Sequence, residues 1–466
     1  MADSQSLSEK SGLDTPPSTN PEQDFEDEAK LKERQASQWT LSTKGEDATR
    51  NNSQDAQESQ PLPEPTPSPI PNGGLQAWLQ VVSGFMLFLN SFGFTTSFGV
   101  FQQYYSSTYL SNIDNSTISW IGTLSTFMLS LSATFAGPIL DRGHPRLLVA
   151  SGGFLVVFGF MMTSLCHEYW QLILAQGICV GIGSGQLFIV ATAILPQWFS
   201  TKRSTAMGWA GTGSGLGGII YPIVFHRLIN KIGFGWSVRV IGFIALATCL
   251  VSLSLTKMRT RPPPRKKIAD VSGFKELPYV LFALVSFFGS AGLYIPFFYI
   301  TEYSQAKVHG ISPELAFYML PIMGVGSTLG RLAPAIAADK MGNLNVLALC
   351  TGAASILAFC WMAVESVGGI IVWSILYGFF SGAFVSLQVP TVAEITKDPR
   401  TLGGRAGMNN LCTSVGVLIG NPIAGILVQQ SWIGLQAFCG ALLLASTIFT
   451  VVTRVWTFGA APATKA

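Results

Sequence analysis

Arg331 is the one strongly charged side chain that falls deep inside an apolar run of this sequence, Gly326-Ser-Thr-Leu-Gly330-Arg331-Leu-Ala-Pro334. A guanidinium at the centre of a bilayer costs at least ~2.5–3.5 kcal/mol on insertion scales, so it must face a cavity or a partner. Two uses follow. It is a counter-charge for an anionic substrate or an alternating-access switch, or it is a structural contact to backbone carbonyls or to Asp339, eight residues on along the same helix face. Other polar side chains within apolar runs are Asn90, Gln102, Gln186, Tyr294, Tyr299, Gln388, Asn409 and Asn410. Each offers directional hydrogen bonds to a ligand, or serves as interhelical glue worth about 0.6 kcal/mol. A third group, Asp141, Arg142 and Arg146, sits where one run ends and the next begins, with Asp339 in the matching place later in the chain. Such a group gates the opening between helices, or only enforces topology. The sequence has no Gly-x-Ser-x-Gly, His-Glu-x-x-His or Walker Gly-Lys-Ser/Thr motif. His144, His167, His226 and His309 are scattered at the ends of runs, and the seven cysteines lie in apolar stretches with no Cys-x-x-Cys pair. This argues against an enzyme, a metal site, a cofactor and a disulfide framework.

The elements that carry these residues are membrane helices. Charged residues make up 11% of the 466, where a soluble domain has roughly a quarter. The mean hydropathy is +0.41. From Leu75 onward, apolar segments lie near 75–102, 117–139, 146–166, 170–194, 204–226 and 237–256. A second set lies near 276–300, 314–337, 344–364, 367–392, 406–428 and 432–456. Each has about 20 residues or more, enough to cross ~30 Å of hydrocarbon as a helix. The expectation is an all-α membrane protein of twelve helices in two pseudo-symmetric six-helix bundles, 73–256 and 276–456, joined by a basic linker, 257–275.

The formal charge of +3 divides into −8 over residues 1–72 and +11 over 73–466. The acidic first part is rich in Ser, Gln and Pro and should be a disordered cytosolic tail. Of the body's basic residues, 17 fall in the loops and terminus on the side of the N-terminus, 4 on the other side, and Arg331 within a span. That asymmetry places both termini, including 457–466, in the cytosol. Asn115-Ser-Thr117 then lies outside, as a glycan acceptor, while the acceptor pattern Asn51-Asn52-Ser53 lies on the wrong side. The charge implies a bilayer partner and no nucleic acid. The linker's basic residues could bind anionic lipid, or only tether the halves.

The halves echo each other. Asp141-Arg142 recurs as Asp339-Lys340 at a shift of 198, and Arg203 with Ala206-Met207 recurs as Arg405 with Ala406 and Met408 at a shift of 202. Two six-helix units suggest a transporter with its site at the midplane between them. Gly213, Gly215 and Gly218 form a Gly-x-Gly-x-x-Gly match, but inside a membrane span, where small residues let helices approach. Gly416/Gly420 and Gly181/Gly185 carry the same spacing.

Gly137-Pro-Ile-Leu-Asp141-Arg142-Gly-His-Pro-Arg146 resembles the loop 2–3 signature of the major facilitator superfamily. Within it, Asn72-Gly-Gly-Leu-Gln-Ala-Trp78 and Trp198-Phe-Ser-Thr-Lys202-Arg203-Ser-Thr-Ala206-Met207-Gly208 resemble motifs of the monocarboxylate porter family in its fungal branch, with Asn for Asp at 72. The resemblance favours gating by Asp141, Arg142, Arg146 and Asp339. It places spans 1, 4, 7 and 10 around the cavity, and so selects Asn90, Gln186, Tyr294 and Gln388, with Arg331, as substrate-binding. Phe287, Phe288, Phe297 and Phe298 of span 7 are candidates to pack on an aromatic ligand. Animal members carry a Lys and an Asp where this sequence has Val100 and Ser327. This points away from lactate-type proton coupling and towards export of a larger metabolite. The expected function is movement of a small organic anion or carboxylated metabolite across the plasma membrane by alternating access, with protons a candidate coupling ion. The alternatives are a monocarboxylate or nutrient uptake carrier, and a non-transporting receptor or sensor on the same scaffold.

Overall fold

The computed structural model describes residues 71–259, 271–396 and 401–459. The expected tail up to residue 70, the second acceptor pattern at 51–53, the middle of the linker and the last seven residues lie outside the described residues. Among the described residues, eleven continuous helices are long and apolar enough to cross a membrane, and one of them holds two crossings. We number the crossings α1 (Leu75–Tyr109), α2 (Asn115–Asp141), α3 (Pro145–Thr163), α4 (Tyr169–Trp198), α5 (203–232) and α6 (234–255). The second half is α7 (Leu277–Lys307), α8 (Pro313–Met341), α9 (Asn343–Ala363), α10 (Val367–Ile395), α11 (Leu402–Gln430) and α12 (Trp432–Phe458). The break between α5 and α6 is at Gly233, whose φ of 77° is open to glycine and costly for other residues. It falls between the expected spans 204–226 and 237–256.

Local signals start and stop these helices. Asp114 caps α2 by accepting from the Thr117 amide at 3.1 Å. The Thr117 hydroxyl bond, the largest influence, holds the Asp114 carboxyl below its usual range. Ser312, Ser366 and Ser431 cap α8, α10 and α12 in the same way. Pro145 and Pro313 stand at first helical positions, where no amide donor is needed. Among the described residues there is no β-strand, only an isolated bridge between His309 and Ser366. The outward faces carry large apolar groups such as Phe154, Leu349, Ile356 and Trp456, each at least 64% exposed, as lipid contact requires.

The packing repeats itself across the two halves. A methyl added at Gly185 would sit 2.0 Å from the Leu129 carbonyl oxygen, and one at Gly382 would sit 2.4 Å from that of Ser327. These α2–α4 and α8–α10 contacts correspond at offsets of 197 and 198 residues. Gly213 meets the Phe85 carbonyl (α5 on α1) as Gly416 meets that of Phe287 (α11 on α7), at offsets of 203 and 202. The repeat seen in sequence is thus a repeat of backbone-to-backbone contacts that glycine alone permits. Gly213 belongs to the phosphate-loop-like match, and its role is close approach of α5 to α1. Between the halves, α2 packs on α11 and α5 on α8, two seams exchanged by the same pseudo-symmetry, and α1 meets α7.

Candidate functional site

Where the seams converge, seven helices, Ser130 of α2 among their contributions, surround a narrow central cavity of about 30 Å³. From the first half come Phe88 and Phe92 (α1), Phe188 and Thr192 (α4), Met207 and Gly211 (α5). From the second come Arg331 (α8), Ser386 and Gln388 (α10), Asn410 and Thr413 (α11). The first-half wall is mainly aromatic and apolar apart from Ser130 and Thr192, with Phe188 edge-on to Phe92 at 5.1 Å and to Phe88 at 6.0 Å. The second-half wall is mainly polar apart from Val385 and Val389, and carries the charge.

Arg331 is 2% exposed. Its Nη1 donates to the Ser214 hydroxyl and to the Gly211 carbonyl at 3.4 Å, both on α5, and its Nε donates to Ser327 Oγ at 3.4 Å. All three acceptors are neutral, and no carboxylate among the described residues lies within ion-pair distance. A buried cation so held keeps most of its desolvation cost, and an anion entering the cavity would relieve it. The contact to a backbone carbonyl is as expected for a structural role; the contact to Asp339 does not form. Asp339 instead accepts from the backbone amides of Ser204 and Thr205 (3.3 and 3.0 Å) and from the Thr205 hydroxyl (2.7 Å). It thereby caps the first turn of α5 across the seam, a negative group where the helix dipole favours one.

Of the other expected substrate residues, only Gln388 lines the cavity, with Thr413 donating to its Oε1 at 3.4 Å. Asn90 is turned into its own half, donating to Thr248 (2.8 Å) and accepting from Tyr221 (2.7 Å). Gln186 accepts from Ser151 on α3 at 2.6 Å. Both are interhelical glue, because a neighbouring hydroxyl satisfies each amide outside the cavity. Tyr294 is buried at the junction of the two arms of α7 and does not line the cavity, though its hydroxyl is within electrostatic range of Arg331. The aromatic residues of α7 are displaced too: Phe298 packs on Phe98 at 5.3 Å, and Phe288 stacks on Phe449 at 5.6 Å. The aromatic residues that line the cavity are Phe88, Phe92 and Phe188 instead.

Among the expected gating residues, Asp141 is buried at the end of α2, and Arg142 is exposed. Arg146 does not reach across the halves; its Nε donates to the Thr256 carbonyl, within the first half, at 3.1 Å. The two porter-like motifs touch each other. Asn72 Oδ1 accepts from the amides of Ser200 (2.7 Å) and Thr201 (3.0 Å), and Trp78 meets Phe199 edge-on at 5.7 Å. Asparagine thus still ties the start of α1 to the α4–α5 loop.

At the end of the bundle opposite these loops the halves meet in a seal beside an open cleft of about 780 Å³. A methyl at Gly99 would lie 2.3 Å from the Phe297 carbonyl, His226 stacks on Phe317 at 3.9 Å, and Arg227 donates to the Tyr318 hydroxyl at 2.7 Å. Asn115 Nδ2 donates to Glu302 of α7 at 3.0 Å. The nitrogen expected to carry a glycan is therefore half-buried in the seal, and a glycan and this bond exclude each other in this conformation.

The sequence matches the Major Facilitator Superfamily over residues 83–368 and 333–465. The chain belongs to that superfamily. Like its other members it is a multi-pass membrane transporter and not an enzyme. It is 45% identical over 379 residues (80% of this chain and 85% of the relative) to the MFS-type transporter dbaD of Emericella nidulans. It is 36% identical to the aspyridones efflux protein apdF of the same organism, covering 88% of this chain and 84% of the relative. It is 38% identical to the agnestins efflux protein AgnL12 of Paecilomyces divaricatus, covering 82% and 88%.

Asn410, Thr413, Phe88, Phe92 and Phe188 were not selected from sequence. Asn410 carried the same polar signal as its neighbour Asn409, which faces α7 and accepts from Ser286 at 2.9 Å. One residue step, about 100° of rotation, separates glue from lining.

Proposed function

We propose that this transporter exports an anionic metabolite, carboxylated or of similar acidity, that bears an aromatic or extended apolar part. The observation that carries the reading is Arg331, buried with neutral acceptors opposite a wall of Phe88, Phe92 and Phe188. The charged end of the ligand would meet the guanidinium and the amides of Gln388 and Asn410, and the apolar part the phenylalanines. The naming of relatives as efflux proteins for aspyridones and agnestins supports the direction. With room for little more than a water molecule in the cavity, any such ligand requires the halves to part. The units that would rock are 73–256 and 276–456, about the two seams, with the 257–275 stretch as tether.

In this reading the chain lies in the monocarboxylate-porter-type branch and works at the plasma membrane. The basic end and both termini face the cytosol, as the excess of Lys and Arg there requires. A chain without a nucleotide motif must run on a gradient, and protons are the proposed ion. The test is export from cells that express the full chain and make acidic aromatic metabolites, with metabolites compared between medium and cells. The expected result is an acidic, aromatic compound enriched in the medium with the wild type, and retained in the cells with Arg331→Gln at equal surface expression. Equal distributions with and without the protein would reject export of this class of compound. Enrichment of neutral compounds alone would reject the anion.

A further inference from the structure

The seal opposite the basic end contains a carboxylate that the central site does not use. Glu302 lies on the outer arm of α7, half-buried where α7 meets the start of α2 across the halves. Its Oε1 accepts from the Asn115 side-chain amide at 3.0 Å. This is the one hydrogen bond the carboxylate makes among the described residues, and no cation among them lies within ion-pair distance. Other carboxylates in the chain are held more firmly. Asp114 accepts from the amide and the hydroxyl of Thr117, and Asp339 accepts three bonds across its seam. A carboxylate drawn out of water with one neutral donor keeps much of its desolvation cost, and the neutral acid keeps far less.

Beside Glu302 the polar groups are left open. The Tyr299 hydroxyl, about one turn earlier on α7, is within electrostatic range of Glu302 and within reach of Gln102 on α1 and Ser119 on α2. Yet neither that hydroxyl nor either polar atom of Gln102 closes a hydrogen bond among the described residues, and both side chains are at most 2% exposed. A methyl added at Gly425 of α11 would sit 3.0 Å from the same hydroxyl, so helices of both halves close around it. Buried amides and phenols left in this way are satisfied by a small polar guest, water or an ion.

The other ionisable groups of this end are engaged elsewhere. α1 and α11 bring it no charged side chain. The tyrosines closing α1 pack on Phe234 within the first half. On α2, Asp114 is taken by Thr117. On α8, Glu314 lines the outer cleft with His226, and Tyr318 accepts from Arg227. After α9, Glu365 stands 4.0 Å from His309. On α7 itself, Tyr303 donates to the Val364 carbonyl at 3.0 Å, and Lys307 is exposed. Tyr299 is the ionisable group that faces Glu302.

We propose that Glu302 is the outer proton-binding site of this transporter, and that the seal closes around its neutral acid. This rests on the reading of protons as the driving ion and names the group on which an external proton acts. When the outer end opens, the carboxylate meets the medium, one proton joins one carboxylate oxygen, and the neutral acid returns into the seal. Closure that favours the bound proton is in turn favoured by external acid, because the linkage is reciprocal.

Electron-spin distances test this in the full chain, reconstituted in vesicles without ligand and labelled at Ser111 and Lys307, both exposed, on the outer ends of the two halves. Between about pH 8 and about pH 5 the shorter, closed component should gain on the open one roughly tenfold, since one proton changes the ratio at most tenfold per pH unit. Glu302→Gln, with the shape and charge of the neutral acid, should be closed at both pH values. Glu302→Asp, which keeps an acid, should keep a pH response. Sodium chloride in place of choline chloride should change nothing. An undiminished pH response in Glu302→Gln, or none in the wild type, would overturn the site. A response to sodium without one to pH would overturn the proton as its occupant. Since no ligand is present, the outcome does not depend on what the central cavity carries, and export lost in Arg331→Gln remains a separate measurement.

Discussion

The two seams that join the halves are images of each other in topology and differ in chemistry. Along α5–α8, Arg331 reaches Gly211 and Ser214, and Asp339 caps the start of α5. Along α2–α11, the contacts are hydroxyl to carbonyl, Thr134 to Gly407 at 3.2 Å and Ser116 to Pro422 at 3.4 Å. The repeat offset of 198 places Ala133, fully buried, where α8 has Arg331. Both seams keep an aspartate at the basic end, Asp141 and Asp339, but one alone carries a cation at the cavity. A symmetric pair of seams would respond alike to any ligand. With the charge on one side, an anion acts most strongly on α5–α8, while α2–α11 offers it only neutral groups, Ser130, Asn410 and Thr413, and is suited to serve as a fulcrum.

The largest effect should come from removing that charge. Arg331→Gln leaves a ligand anion without its counter-charge in a dry cavity. The loss is about 3 kcal/mol, within the range for truncating one partner of a buried pair, or roughly a hundredfold in flux of an acidic substrate into vesicles. Normal flux at normal surface expression would make Arg331 a structural residue, and the contrast between the seams would lose its meaning. A smaller effect is expected at Asp339→Asn. The amide keeps an acceptor but loses the charge that strengthens three bonds to Ser204 and Thr205. A weakening of about 1.5 kcal/mol shifts a two-state equilibrium roughly tenfold towards an open basic end. Electron-spin distances between labels at Lys202 and Lys340 should gain a longer component, and an unchanged distribution would remove Asp339 from the gate.

The sequence conveyed the twelve crossings well because each span is apolar on every side, and the bilayer imposes length. The Gly233 break fell inside an expected loop for the same reason. The repeat was legible in Asp141-Arg142 against Asp339-Lys340 and in Arg203 against Arg405; the backbone contacts at Gly185 and Gly382, and at Gly213 and Gly416, follow similar offsets but carried no such signal in the sequence. The site was read only in part. Arg331 and Gln388 stood out because charge and amides are rare in spans. Asn90 and Gln186 stood out equally and are turned away from the cavity, because a polar residue in lipid announces only that it needs a partner. Whether the partner is a substrate or Thr248 and Ser151 depends on helix rotation. A helix apolar all round has no amphipathic stripe to reveal that rotation. The same ambiguity hid Asn410 beside Asn409, and Phe188 among a run of residues equally suited to lipid.

The smallest effect should come from the neutral seam, and its smallness is the point. Thr134→Val keeps the shape of the side chain and removes one hydroxyl, which donates to the Gly407 carbonyl across the seam and to Ser130 within α2. Interhelical bonds of this kind average about 0.6 kcal/mol in a membrane, so flux should stay within about threefold of wild type. The comparison with Asp339→Asn then measures the asymmetry itself, because both residues lie at the basic halves of equivalent seams. If Thr134→Val slowed flux as much as Asp339→Asn, the α2–α11 seam would be carrying conformational energy of its own. The cation on α8 would then mark where the ligand binds without marking where the motion is controlled.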